Sequence, residues 1–275
     1  MAGEEAESPQ AEAGAAGTAF RKRFGALIWG AGADLRMDAV TVATAALYFQ
    51  RFFLVERKGS FDATRVAMAC LWLAAKVREG SPRLRDVVNA FLALSDNAEE
   101  AKALPMEAYW VLRDEVVLLE QAVLRAMAFD TEPTQAYAHL TELAWLLDCG
   151  SADNNGLCSL AWSLLNDAFC SEVCALCPPA RLATACLLLA VQLGQRVPEL
   201  KDVADRAAGR LDSLGREPHL EDFLGLGRRS GGAGEVAEVC RELLAVYEVD
   251  RRQQRCKRPS SSRGGRSRSP SSEDL

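Results

Sequence analysis

Two stretches of this chain, "RVAMACLWLAAKVREGSPRLRDV" (Arg65–Val87) and "RLATACLLLAVQLGQRVPELKDV" (Arg181–Val203), align without a gap at an offset of 116 residues. Eleven of the 23 positions are identical, among them Arg65/Arg181, Cys70/Cys186, Leu73/Leu189, Pro82/Pro198 and Asp86/Asp202. Ala- and Leu-rich helices resemble one another by composition alone, but matched prolines at a constant offset do not arise that way. "EVVLLEQAVLRAMAFD" (Glu115–Asp130) then lines up with "EVAEVCRELLAVYEVD" (Glu235–Asp250) at an offset of 120. The four extra residues fit in the Gly-rich loop "GLGRRSGGAG". A chain that repeats itself on this scale is constrained to two copies of one packing scheme.

The repeated unit reads as helix. Val66, Cys70, Leu73 and Val77 share one stripe, and Val42, Ala45, Ala46, Phe49 and Phe53 form another. Asp38 and Asp62 are placed as N-caps, and Gly80 as the stop of the second of these helices. Met106–Met127 reads as one long helix, and short ones follow Pro82 and Pro198. No window shows sustained strict alternation, so no strands are expected. The expected fold is all-α: two tandem five-helix bundles, residues 20–130 and 131–250, with Pro133 near the junction. Residues 1–19 carry four Glu and no basic residue and are expected to be disordered, as is the low-complexity stretch 251–275.

The net charge of -6 hides a division. Residues 251–275 hold eight Arg/Lys and two acids, a balance of +6, so the remaining 250 residues carry -12. An acidic body argues against direct DNA binding by the folded part; a basic tail suits acidic partners. No uncharged run of 18 residues suggests a membrane span, and the acidic N-terminus does not read as a signal peptide. Nine cysteines, an odd number without an export signal, point to reduced thiols. Cys170, Cys174 and Cys177 form C-x3-C-x2-C, but zinc wants a fourth ligand, and helix-end packing is the better reading. The glycine run follows no strand, and two histidines leave little for general-base work. No cofactor and no catalytic activity are expected.

Among the differences in chemistry between the copies two stand out: Lys76 becomes Gln192, and Glu120 becomes Cys240. In the first copy each charge lies among apolar neighbours on its helix. A buried unpaired charge is costly. These two therefore either pair with each other, or reach solvent, or await a partner's polar groups. In the last case they would sit in an apolar patch of Leu73, Val77 and Leu124, which has the anatomy of an interface centre.

"MACLWLAAKV" resembles the core signature of the cyclin box, and "LLEQAVLRAMAFD" resembles the end of that box's fifth helix. "YWVLRDEVVLLEQAVLRAMAF" and "AWSLLNDAFC" are similar to transcription-type members of the Q and K kinds. "RSRSP" resembles the Arg-Ser segments of the L kind. The resemblance covers residues 20–250. It implies a nuclear regulatory subunit that activates a cyclin-dependent serine/threonine kinase in RNA polymerase II transcription or linked RNA processing. It also implies that Lys76 and Glu120 bond to kinase backbone beside the kinase C-helix, and that Leu73, Val77, Leu124 and Phe129 receive an apolar side chain of that helix. "KVREG" departs from the family's "KVEE", so Arg78 and Gly80 alter the helix end. A cyclin-fold adaptor without a kinase is the other reading; it needs a basic face, which the body charge disfavours. "RRQQRCKRP" resembles a nuclear localisation patch, and Ser269 before Pro270 suits a proline-directed kinase.

Overall fold

The computed structural model describes residues 9–57, 59–80, 82–94, 105–149, 155–214 and 232–257. All regular elements among them are helices: α1 (Pro9–Asp34), α2 (Ala39–Val55), α3 (Ala63–Val77), α4 (Leu84–Ala93), α5 (Met106–Ala126), α6 (Ala136–Leu146), α7 (Asn155–Ala168), α8 (Val173–Leu176), α9 (Pro179–Gly194), α10 (Lys201–Leu214) and α11 (Gly232–Lys257). Residues 9–19, expected to carry no structure, belong to α1 instead. Ala11, Ala13, Ala15 and Ala16 give that stretch a strong helix preference that its lack of a core-forming face had obscured. At the other end α11 passes the expected boundary at Asp250 and runs to Lys257. Ser269 and the Arg-Ser stretch lie outside the described residues.

The duplication is visible in the packing. α3 is enclosed by α1, α2, α4 and α5, and α9 by α6, α7, α10 and α11. Apart from half-buried Trp72, Val66–Ala75 is almost wholly out of solvent, as is the matching run Leu182–Val191 apart from half-buried Leu188. Each fully buried Leu, Val or Met here contributes roughly 1.5–3 kcal/mol of transfer free energy. α8 is an extra four-residue turn without a counterpart in the first copy.

The expected caps form. The Asp38 carboxylate accepts from the Thr41 amide at 2.9 Å, and Asp62 accepts from the amides of Thr64 and Arg65 at 2.9 and 3.1 Å. The stop of α3 differs by one residue from expectation: Glu79, at φ 57°, takes the left-handed position ahead of Gly80. Other helix ends use non-glycine residues likewise. After α5, the amides of Ala128 and Phe129 turn back to the carbonyls of Arg125 and Leu124, and after α6 those of Asp148 and Cys149 return to Trp145 and Ala144.

The two bundles are joined by polar groups buried between them. The Arg21 guanidinium on α1 donates to Gln50 Oε1 at 2.9 Å and pairs with Glu172 at 3.0 Å; burial holds its pKa below the usual arginine range. The Gln50 amide in turn donates to the Phe169 carbonyl at 3.3 Å. Gly25 lets α1 lie directly on the second bundle, since a Cβ there would sit 2.8 Å from Cys170. Tyr48 on α2 donates its hydroxyl to the Thr131 carbonyl in the connector.

Two outcomes are expected. Gly25→Ala should lower stability by about 1–3 kcal/mol through overpacking, read as a fall in the urea midpoint. Burial pushes the Tyr48 hydroxyl up to about 12. A folded pKa above the unfolded one stabilises fully below the unfolded value, so this contribution should fade as pH rises from about 10 towards 12. Tyr48→Phe should flatten that part of the stability–pH curve.

Candidate functional site

α3 emerges from its sheath at its last turn, and Lys76 stands there. Its ammonium donates to Glu120 Oε1 on α5 in a short ion pair. The two halves of the pair differ: 42% of the Lys76 side chain is exposed but only 12% of that of Glu120. On its other side the Lys76 ammonium lies over the Trp72 ring, 3.7 Å from the centroid. Trp72 is four residues earlier on α3, the spacing that puts two side chains on one helix face. Of the three alternatives that the sequence leaves open for Lys76 and Glu120, the structure shows mutual pairing, with the lysine end open to solvent.

The apolar positions lie near this pair along α3 and α5. Leu73, three residues before Lys76 on α3, is buried; Val77, next to Lys76, and Leu124, one turn after Glu120 on α5, are half-buried. Phe129 stands out from the surface, 66% exposed, in the left-handed turn that closes α5. A cleft of about 500 Å³ opens next to Val77, lined by Asp38, Arg78, Glu79 and Glu132 among others. Burial opposes ionisation of Asp38, but the Thr41 hydroxyl and amide and the Arg78 charge outweigh it and leave the carboxyl below its usual range. Arg78, which departs from the family signature, faces this cleft and not the Lys76–Glu120 pair.

The second copy lacks the equivalent charges. Gln192 is exposed, and half-buried Cys240 lies with its sulfur 3.6 Å from the Ala185 carbonyl; burial raises its thiol pKa. Leu189 remains buried as Leu73 is. A different contact is kept in both copies, and the sequence reading missed it: Arg65 pairs with Glu115 between α3 and α5, and Arg181 pairs with Glu235 at 2.6 Å between α9 and α11. Its signal was present, because both arginines and both glutamates align in the repeat. Trp72 was also missed as a member of the site, although position 188 is leucine.

The cysteine run supports packing. Cys170 and Cys174 are buried, Cys174 lies 3.2 Å from the Ser171 carbonyl, and burial pushes the Cys170 thiol up to about 12. Among the described residues no group of three or more His, Cys, Asp or Glu could hold a metal ion. No helix of the described residues is long and apolar enough to cross a membrane.

Residues 9–132 match the family model "Cyclin, N-terminal domain". The chain is 31% identical to Cyclin-L2 of Mus musculus over 224 residues, covering 80% of this chain and 39% of that protein. It is 30% identical to Cyclin-L1 of Homo sapiens over 226 residues, covering 80% of this chain and 38% of that protein. The chain thus spans about two fifths of the length of the curated relatives it matches. In structure it is similar to a chain of the crystal structure of the yeast RNA Pol II CTD kinase CTDK-1 complex, with a TM-score of 0.63 and 19% identity over 84% of this chain and 66% of that one.

The burial asymmetry generates a test in the free protein. Lys76→Ala leaves a nearly enclosed carboxylate without its cation and should cost about 1–3 kcal/mol, read from urea denaturation. Glu120→Ala leaves a lysine that turns to water and should cost clearly less.

Proposed function

We propose that this chain, which belongs to the cyclin family through the cyclin N-terminal domain at residues 9–132, binds a cyclin-dependent serine/threonine protein kinase and activates it as a regulatory subunit. The observation that carries the reading is the Lys76–Glu120 ion pair, with Leu73, Val77 and Leu124 within one helical turn of it along α3 and α5. It is set at the C-terminal end of an enclosed helix, and its two charges are absent from the duplicate bundle. A protein kinase is active when its strand-three Lys meets its C-helix Glu and its Asp–Mg²⁺ is in place. A docked subunit that contacts the inward C-helix better than the outward one shifts the population towards the active state. In that arrangement the chain does no chemistry itself. The ammonium and the carboxylate would bond to the backbone of the kinase helix, and the apolar floor would receive one of its side chains.

The finer reading is RNA polymerase II transcription or linked RNA processing, in the nucleus. It rests on two supports: the likeness to Cyclin-L2 and Cyclin-L1, and the basic stretch from Arg251 to Pro259.

The experiment is a tagged pull-down with identification of the co-purifying kinase, followed by affinity measurement. Lys76→Ala or Glu120→Ala should weaken that kinase by about 1–3 kcal/mol, while substitutions of Gln192 or Cys240 leave it unchanged. Full affinity in both first-bundle variants would defeat the assignment. Deleting residues 251–275 should reduce nuclear retention without altering kinase affinity.

A further inference from the structure

A third difference between the copies is linked to the two at Lys76 and Glu120. Where the first has Trp72, Lys76 and Glu120, the second has Leu188, Gln192 and Cys240. Around them the scaffold is retained: the Arg–Glu pairs at Arg65 and Arg181 and the buried Leu73 and Leu189 are present in both. An aromatic ring is thus found only where the ammonium is found, and in contact with it.

We propose that Trp72 is the third member of the anchor, a positioning residue that fixes the Lys76 ammonium for the docked kinase helix. The inference rests on the kinase-binding reading above. A lysine ammonium carries three N–H donors on a flexible four-carbon stem and would ordinarily sample many rotamers in water. Here one donor is taken by Glu120, and the ring face holds the cation from a second side. The ammonium is thus held by α5 and by its own helix, and 42% of the side chain still meets solvent. A partner carbonyl arriving there meets a donor already in place, so less ordering remains to be done on binding. Trp72 is half-buried and packs against the core, so it is itself held in place. Leucine at position 188 offers no π face, and the residue one turn further on is the uncharged Gln192.

The contact can be read in the free chain. In its proton NMR spectrum the ε-methylene of Lys76, assigned by its loss in Lys76→Arg, should lie upfield of ordinary lysines because of the indole ring current. Trp72→Leu should return it to the ordinary position, and Trp72→Phe should keep part of the shift. Binding is then measured with the kinase recovered by the tagged chain. Trp72→Leu should weaken it about five- to tenfold, and Trp72→Phe should recover most of the loss. In a Lys76→Ala background the same Trp72→Leu change should have no further effect. A Lys76 signal at the ordinary position in the unmodified chain overturns the proposal. So does a Trp72→Leu loss of equal size with and without Lys76, which would mark the ring as a separate contact or a packing residue. Recovery of no kinase at all overturns the docking reading itself and takes the role of Trp72 with it, whereas additive losses against a bound kinase remove Trp72 alone.

Discussion

Enclosure of one helix on all sides decides the rest of this molecule. α3 is surrounded by four neighbours and its duplicate α9 by five, and over about ten residues neither has room for a charge. A helix of that kind is held by tertiary packing and not by its own propensity. Its only polar positions are its ends. The N-terminal end of α3 carries Arg65, tied to Glu115, and the C-terminal end carries Lys76, tied to Glu120. Polar contact with anything outside the bundle is therefore confined to the two ends, where the sheath runs out. Glu120 shows the cost of that location. A carboxylate so nearly closed off needs a cation, and Lys76 and its ring neighbour supply a charge that remains reachable from outside.

The duplication separates polarity that both bundles keep from polarity that one bundle has alone. The clasp between the enclosed helix and the last helix of each bundle is present twice, by Arg65–Glu115 and Arg181–Glu235, and so belongs to the scaffold. The Trp72–Lys76–Glu120 group is present once. The second bundle spends the same positions on Leu188, Gln192 and Cys240, which fit a surface without demands on charge.

Much of this was readable in the residues, for identifiable reasons. The helical plan came from periodicity and the repeat, and the caps at Asp38 and Asp62 from side chains whose oxygens bond the first turn's amides locally. The pairing of Lys76 with Glu120 could be listed among alternatives but not selected, because they are 44 residues apart in sequence and only the crossing of α3 and α5 brings them together. The start of α1 was missed because its first two turns are alanine-rich and show no core-facing stripe. The stop of α3 was put at Gly80 because glycine is the usual left-handed residue, whereas Glu79 is held there by backbone bonds to the helix end. Arg21 gave no signal at all. An arginine on an amphipathic helix reads as solvated, and only the second bundle, by closing over it, turns it into a buried tie.

That tie bears on any attempt to cut the molecule in two. Arg21 reaches Gln50 and Glu172, Lys22 reaches the Val246 carbonyl at 3.2 Å, and Gly25 is flush against Cys170. A fragment ending after Asp130 would expose a desolvated guanidinium and a bare glycine-lined face that were shaped for the missing half. α1 thus acts as a keystone: it belongs to the first bundle by sequence and to both by contact, and the smallest unit that satisfies its polar groups is the pair of bundles together.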